Sequence, residues 1–108
     1  MHAPLSTTAK VLFEAANILR EGRHCKGMLA NGTARCAMGA IMQAAEPLFR
    51  TKHTGYYKWS QTVERATKSV ENMIGVPHGI VAWNNAPERT ADEVIEMFER
   101  AALAEMVS

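Results

Sequence analysis

The sequence predicts an all-α fold, a compact bundle of about four helices around a buried central helix, and three observations support it. Apolar residues recur at helical spacing in several stretches of the chain. Residues 35–46 are apolar on nearly every side, which is typical of a buried helix. Of the 108 residues, 47% are hydrophobic and 21% are charged, the balance of an ordinary globular protein. We therefore predict one domain over residues 1–108 with a single core.

The first helix is predicted to begin at Ser6 or Thr7, either of which can cap it, and to end at Glu21 before Gly22. Its buried face is expected to consist of Val11, Leu12, Ala15, Ala16, Ile18 and Leu19. The chain then loses its helical pattern and gains glycines, so we predict a structured loop after this helix. In that loop Asn31-Gly32 favours a tight turn that could close a small hairpin.

The central helix is predicted to begin at Thr33 or Ala34 and to end or kink at Pro47, because the proline ring removes a hydrogen bond and clashes with the preceding turn. A polar loop over residues 50–55 follows. The third helix then ends at Gly75, just before a proline. Its apolar face is expected to consist of Trp59, Val63, Ala66, Val70, Met73 and Ile74.

The connector to the last helix contains Ile80, Val81 and Trp83, which fit either one helical turn or a short extended piece. Periodicity cannot decide over so few residues. Thr90 and Glu93 have the spacing of a capping box, which marks the start of the last helix. The buried face of that helix is expected to consist of Val94, Ile95, Phe98, Ala101, Ala102 and Met106.

Two features of the sequence point to the cytoplasm and away from a membrane. No apolar run approaches the roughly 18 residues that a membrane helix needs, and the N-terminus lacks the pattern of a signal peptide. Two cysteines are too few for a secreted disulfide framework, and seven methionines suit a reducing compartment. We therefore expect a cytoplasmic protein with no membrane partner.

Charge is distributed unevenly along the chain. Residues 1–58 contain eight Lys or Arg and three Glu, a balance of +5, whereas residues 59–108 contain four Lys or Arg and eight Asp or Glu, a balance of −4. One interpretation is solvated faces whose charges pair across the folded domain. The other is a basic surface for an anionic partner. The acidic last helix could also pair with the basic loops of a second copy, which would give a homodimer.

Two ordered motifs carry a family resemblance. Cys36-Ala-Met-Gly-Ala40 follows a Gly-containing loop, and Ala82-Trp-Asn-Asn85 follows later in the chain. In this order and at this distance they resemble a small uncharacterised domain family of actinobacteria and their bacteriophages, over roughly residues 10–104. The resemblance implies a cytoplasmic helical protein of no assigned reaction. The second motif usually reads Trp-Asn-Asp, whereas this chain has Asn85 in the third place. The motif positions are Cys36, Gly39, Trp83, Asn84 and Asn85.

The function that we favour is non-enzymatic binding of a protein partner. The resemblance adds one form of it, a phage-encoded modulator of a host process. Asn84 and Asn85 are expected to tie down turns, with amide hydrogen bonds in a ligand pocket beside Trp83 as the alternative. The candidate binding residues are Arg23, His24, Lys26, Arg35, Trp83, Asn84 and Asn85.

A nucleic-acid or nucleotide binder is a second possibility, because cationic residues adjoin aromatic ones in the basic loops, an arrangement that holds single strands and bases. A sequence pI of about 7.8 counts against this interpretation. The residues concerned are Arg20, Arg23, His24, Lys26, Arg35, Arg50, Lys52, His53, Tyr56, Tyr57 and Lys58.

A cysteine-dependent hydrolase is the third possibility. Cys36, His78 and Asn84 follow the chain order of papain-like enzymes, and Cys36 lies near a helix N-terminus that would favour its thiolate. Those enzymes present the histidine on a sheet, which this sequence does not predict, so we lean against an enzyme. His24, Cys25, Cys36 and His78 include zinc-ligand types but lack zinc-site spacing. We predict no metal and no cofactor.

Overall fold

The computed structural model describes residues 6–50, 54–75 and 79–107. Within these residues the chain forms five α-helices, one 3-10 helix and a two-stranded hairpin, so the predicted helical bundle is confirmed. The connector before the last helix is itself helical, which adds one helix to the predicted set. The elements are α1 (Thr7–Gly22), β1 (Ala30–Asn31), β2 (Ala34–Arg35), α2 (Ala37–Ala44), the 3-10 helix (Glu46–Arg50), α3 (Gly55–Ile74), α4 (Gly79–Asn85) and α5 (Ala91–Val107).

Helices α1 and α5 pack against each other more extensively than any other pair of described elements. Helix α1 begins as predicted, because the Ala9 N–H donates to Ser6 Oγ at 3.1 Å and satisfies one free amide of the first turn. Phe98 of α5 is completely buried in the shared core. The apolar face of α1 agrees with its prediction, except that Ile18 is only partly buried.

Helix α2 begins at Ala37, three or four residues later than the predicted Thr33 or Ala34, because Ala34 and Arg35 belong to the hairpin. Ala30 pairs with Arg35 and Asn31 pairs with Ala34 in an antiparallel register. The turn is therefore Gly32-Thr33, with Gly32 at φ +62° in the position that a type II′ turn reserves for glycine. The small hairpin left open by the sequence is thus present, one residue beyond the expected turn.

Helix α2 is short and largely buried, as the apolar stretch predicts. Five of its eight residues are buried, and it contacts α1, α3 and α4. The helix ends at Ala44, and Pro47 lies in the 3-10 helix that follows, where a missing N–H is tolerated.

Two methionines do not lie on the buried faces predicted for them. Met73 near the end of α3 and Met106 near the end of α5 are both exposed. Periodicity gives a residue's angular position around a helix, but it cannot show where the neighbouring helix ceases to cover that side. Helix α3 ends as predicted at Gly75, whose φ of +64° is the left-handed conformation of a helix C-cap.

The predicted capping box begins α5. The Glu93 N–H donates to Thr90 Oγ1 at 3.2 Å, and the Thr90 N–H donates to Glu93 Oε1 at 3.0 Å. The hydrogen bond from the Thr90 backbone is the largest cause that lowers the pKa of the Glu93 carboxyl, with the Thr90 hydroxyl next. The ionised carboxylate is therefore the form that the folded state favours.

We expect Glu93→Gln to lower the melting temperature at neutral pH and to have less effect in acid. A carboxyl whose pKa is depressed by folding contributes stability above its unfolded-state pKa, and this contribution is lost as pH falls through the folded-state pKa. Thermal melts followed by circular dichroism across acidic to neutral pH would measure the difference. Glu96→Gln, on the exposed side of the same helix, is the control. If the difference in melting temperature between wild type and Glu93→Gln did not change with pH, the ionised Glu93 carboxylate would not be the stabilising form.

Candidate functional site

Asn84, near the end of α4, is completely buried and joins three parts of the chain. Its Oδ1 accepts a hydrogen bond from the Ala37 N–H at 2.9 Å and lies 2.6 Å from His24 Nε2. Because Oδ1 can only accept, the imidazole donates from Nε2. The amide Nδ2 donates to the Cys25 carbonyl and to Asn85 Oδ1, both at 3.1 Å. One carboxamide thus connects α4, the start of α2 and the chain after α1.

Residues 23–29, which we call the anchored loop, form further hydrogen bonds to the end of α4 and to the residue just after it. The Gly27 N–H donates to Asn85 Oδ1 at 2.9 Å. Lys26 Nζ donates to the Ala86 carbonyl at 2.6 Å, just beyond the end of α4. The hydrogen bond to Asn85 ties the loop to the helix end that also contains Asn84. The Lys26 hydrogen bond leaves the lysine charge without a counter-charge, because its acceptor is a neutral backbone oxygen.

Trp83 is buried beneath an arginine from the α4 to α5 connection. The Arg89 guanidinium carbon lies 4.3 Å from the centroid of the Trp83 ring, a cation–π contact. Arg89 Nε also donates to the Trp83 carbonyl at 3.0 Å, and Arg89 Nη1 pairs with Glu93 Oε2 at 3.0 Å. The indole is therefore covered by the protein itself.

The described surface has one cluster of aromatic rings that the protein leaves open. Phe49, Tyr56 and Trp59, which we call the aromatic patch, have ring centroids 5.2 to 6.1 Å apart. Phe49 is 47% exposed and Tyr56 is 68% exposed, and Tyr57 beside them on α3 is 64% exposed. Gly55 allows this arrangement, since a Cβ at that position would collide with the Phe49 carbonyl oxygen.

A groove of about 690 Å³ opens beside the aromatic patch, between the end of α2, the 3-10 helix and α3. Trp59 forms part of one wall and is held there, because its Nε1 donates to the Met42 carbonyl at 3.1 Å. Both cationic and apolar groups are available to a ligand there. The lining residues are Arg35, Met42, Gln43, Glu46, Phe49, Arg50 and Trp59.

A model described as a family of unknown function (DUF6197) matches residues 3–104, nearly the whole chain. The chain belongs to this family. No curated protein and no solved structure matches it. The prediction of an uncharacterised domain family is confirmed, and no activity comes with the membership.

Four of the five motif positions of this DUF6197 chain, all except Trp83, form hydrogen bonds to one another or to the anchored loop. Among the described residues, the Asn85 side chain forms hydrogen bonds only through Oδ1, which accepts from the Gly27 N–H and from Asn84 Nδ2. A carboxylate oxygen accepts the same two bonds, so the aspartate expected at this position from the sequence resemblance fits the same role.

Cys36 caps α2 in the DUF6197 fold. The Gly39 N–H donates to Cys36 Sγ at 3.3 Å, and the thiol side chain is buried. Asn84 is fully engaged by other groups, and His78 lies outside the described residues. Two of the three residues of the hydrolase hypothesis, Cys36 and Asn84, therefore form hydrogen bonds that hold the start of α2.

Cys25 is the more accessible of the two free cysteines. Burial and then the neighbouring Cys36 raise the pKa of the Cys25 thiol, while Arg35 opposes the rise. A raised pKa keeps the group protonated and lowers its nucleophilicity. Across the described part of the chain, no group of three His, Cys, Asp or Glu side chains could hold a metal ion, and His78 lies outside that part.

The structure places the basic candidate residues in different environments. Arg35 Nη1 donates to the carbonyls of Gly32 and Ala34, each at 2.8 Å, while part of its side chain reaches the groove. Arg23 is exposed at the end of α1 with φ +90°. Lys52 and His53 lie outside the described residues.

Sequence reasoning missed Phe49 and Trp59 as site residues of the DUF6197 domain, although it singled out Tyr56. The available signal was an aromatic pair three residues apart at the start of α3, since such residues share a helix face. No helix within the described residues is sufficiently long and apolar to cross a membrane.

Proposed function

We propose that this DUF6197 domain is a non-enzymatic binding protein that docks a partner protein on the aromatic patch and the adjoining groove. The observation that carries the proposal is the clustering of exposed rings. In the described structure, the most exposed aromatic side chains lie within or next to one patch, while Phe98 and Trp83 are buried.

The chemistry of the patch matches that of protein-binding hot spots. Tryptophan, tyrosine and arginine are enriched where a few residues dominate the affinity of an interface. Covering an exposed aromatic ring removes apolar area from water and contributes roughly 1.5 to 3 kcal/mol when the burial is complete. The rings of Phe49 and Tyr56 are already held edge to face, so a partner would order little new structure on this side.

The groove supports a partner segment that combines apolar and acidic side chains. Arg50 has no ion-pair partner among the described residues, and Arg35 contributes a second guanidinium to the same groove. Glu46 is the one carboxylate among the lining residues, so positive charge prevails there. We further propose a cytoplasmic location, which two free thiols support, and action as a phage-encoded modulator of a host process.

The aromatic patch is tested by Tyr56→Ser combined with Tyr57→Ser. Both side chains are mostly exposed, so the variant should fold normally while its affinity falls by at least about tenfold. The immobilised wild-type protein would first capture its partner from nuclease-treated host lysate, and the purified partner would then be titrated by calorimetry. Leu103→Ser, which removes another exposed apolar side chain, from α5, is the control and should bind like wild type.

Two outcomes would contradict this proposal. Equal affinity of the double variant and the wild type would exclude the patch as the docking surface. Capture that occurs from untreated lysate and is lost after nuclease treatment, together with steeply salt-dependent binding of a purified oligonucleotide, would favour the nucleic-acid hypothesis instead.

A further inference from the structure

A second cavity, of about 310 Å³, lies between the start of α1 and one face of α3. It is separate from the aromatic groove in its lining and in its chemistry. Nearly every residue around it offers a hydrogen-bond donor, and none of them is acidic. The lining consists of Ser6, Thr7, Thr8, Leu48, Lys58, Gln61, Thr62 and Arg65.

The α3 wall of the cavity presents two cations. Lys58, Gln61, Thr62 and Arg65 are spaced by three, four and seven residues, so their side chains lie along one helix face. Neither Lys58 nor Arg65 forms an ion pair with any described residue. The cavity therefore contains positive charge that the described protein does not neutralise.

The α1 wall adds the positive end of a helix. The Ala9 N–H is taken by Ser6 Oγ, and the Lys10 N–H by the Ser6 carbonyl. The amides of Thr7 and Thr8 precede these and have no partner within the helix. No acidic residue lies in the first turn of α1 to offset the helix dipole.

Thr8 provides an independent indication of a ligand. The residue is only 6% exposed, yet its hydroxyl forms no hydrogen bond in the described structure. Every fully buried side-chain nitrogen or oxygen among the described residues does have a partner. The Thr8 hydroxyl is therefore accessible to solvent, and it is an unused donor at a wall shared by this cavity and an adjoining one, which Ser6 and Arg65 also line.

We propose that this cavity binds a phosphate group. A phosphate offers several strong acceptor oxygens to the amides and hydroxyls of α1, and its negative charge matches Lys58 and Arg65. A phosphate monoester shares this chemistry with the free ion. The site stands on residues distinct from the aromatic patch and does not depend on the function proposed above.

The direct test is a titration of ¹⁵N-labelled protein with sodium phosphate at constant ionic strength, followed by amide NMR. We expect saturable downfield shifts of the Thr7 and Thr8 amides, and no equivalent shifts with sodium chloride. A parallel titration with phenyl phosphate distinguishes a phosphate monoester from the free phosphate ion as the ligand. Tighter binding than inorganic phosphate indicates a monoester as the ligand, and equal or weaker binding indicates the free ion.

Variants test the residues individually. Lys58→Gln with Arg65→Gln should weaken phosphate binding by at least about tenfold, since each removes a charge-assisted hydrogen bond. Thr8→Val keeps the shape of the side chain and should weaken binding less. Arg100→Gln, an exposed charge on α5, should bind like wild type. Unchanged amide shifts far from the cavity would show that each variant is folded.

The proposal is overturned if the phosphate response is linear and does not saturate, if chloride reproduces it, or if the Lys58 and Arg65 double variant retains wild-type affinity. The double variant Tyr56→Ser with Tyr57→Ser should retain full phosphate binding, because neither residue lines this cavity.

Discussion

Asn84→Ala is expected to lower the free energy of unfolding by about 3 to 5 kcal/mol. Alanine leaves the buried Ala37 N–H without its acceptor at 2.9 Å and the Cys25 carbonyl without its donor. Each unsatisfied buried group costs roughly 1 to 3 kcal/mol, and the missing carboxamide also leaves a cavity. The anchored loop loses its central attachment in the same step.

Urea unfolding monitored by circular dichroism would measure this loss. Asn72→Ala is the matched control, because Asn72 is exposed on α3 and its removal should change stability by no more than about 0.5 kcal/mol. Amide hydrogen exchange should also show faster exchange in the anchored loop of any folded Asn84→Ala protein. If Asn84→Ala were as stable as Asn72→Ala, the buried amide would not hold the loop.

Gly39→Ala is expected to destabilise the protein by about 2 kcal/mol, although alanine normally favours a helix over glycine by about 1 kcal/mol. A Cβ at Gly39 would collide with the Leu29 carbonyl oxygen, which belongs to the backbone and cannot rotate away. The Cys36 N–H donates to that same carbonyl at 3.2 Å, so moving it also disturbs the cap of α2. The steric cost should therefore exceed the gain in helix propensity.

Gln43→Ala is the control for this substitution, because it places alanine on the exposed side of the same helix. It should leave the urea midpoint nearly unchanged. A Gly39→Ala protein as stable as wild type would mean that the anchored loop moves away from α2 at no cost. Gly39→Val would then provide a larger test of the same contact.

The features predicted well from sequence depend on interactions between residues close together in the chain. The Ser6 cap of α1, the Thr90 and Glu93 capping box and the Gly75 stop each operate within one helical turn. The predicted start of α2 was wrong. Ala34 and Arg35 are compatible with a helix, but they form strand β2 of the hairpin. The apolar pattern identified α2 as buried without showing where it begins.

The roles of the motif residues followed only partly from sequence. A structural role for Asn84 and Asn85 was the favoured interpretation, and the bonds to the anchored loop agree with it. Their partners in the anchored loop and at the start of α2 lie 47 to 60 residues away in the sequence. No local pattern identifies such a partner, because the contact exists only after α2 and α4 have packed together.

The sequence by itself determined four of the five helices, the caps of α1, α3 and α5 and a single apolar core, since spacing and capping act over one or two turns and do not need the rest of the fold. The tertiary structure decided which polar and aromatic groups meet. It turned Lys26, His24 and Trp83 toward the protein, gathered Phe49, Tyr56 and Trp59 into an open patch, and set the α1 N-terminus against the cations of α3. These surfaces arise from the packing of distant helices, and for that reason composition and periodicity could not locate them.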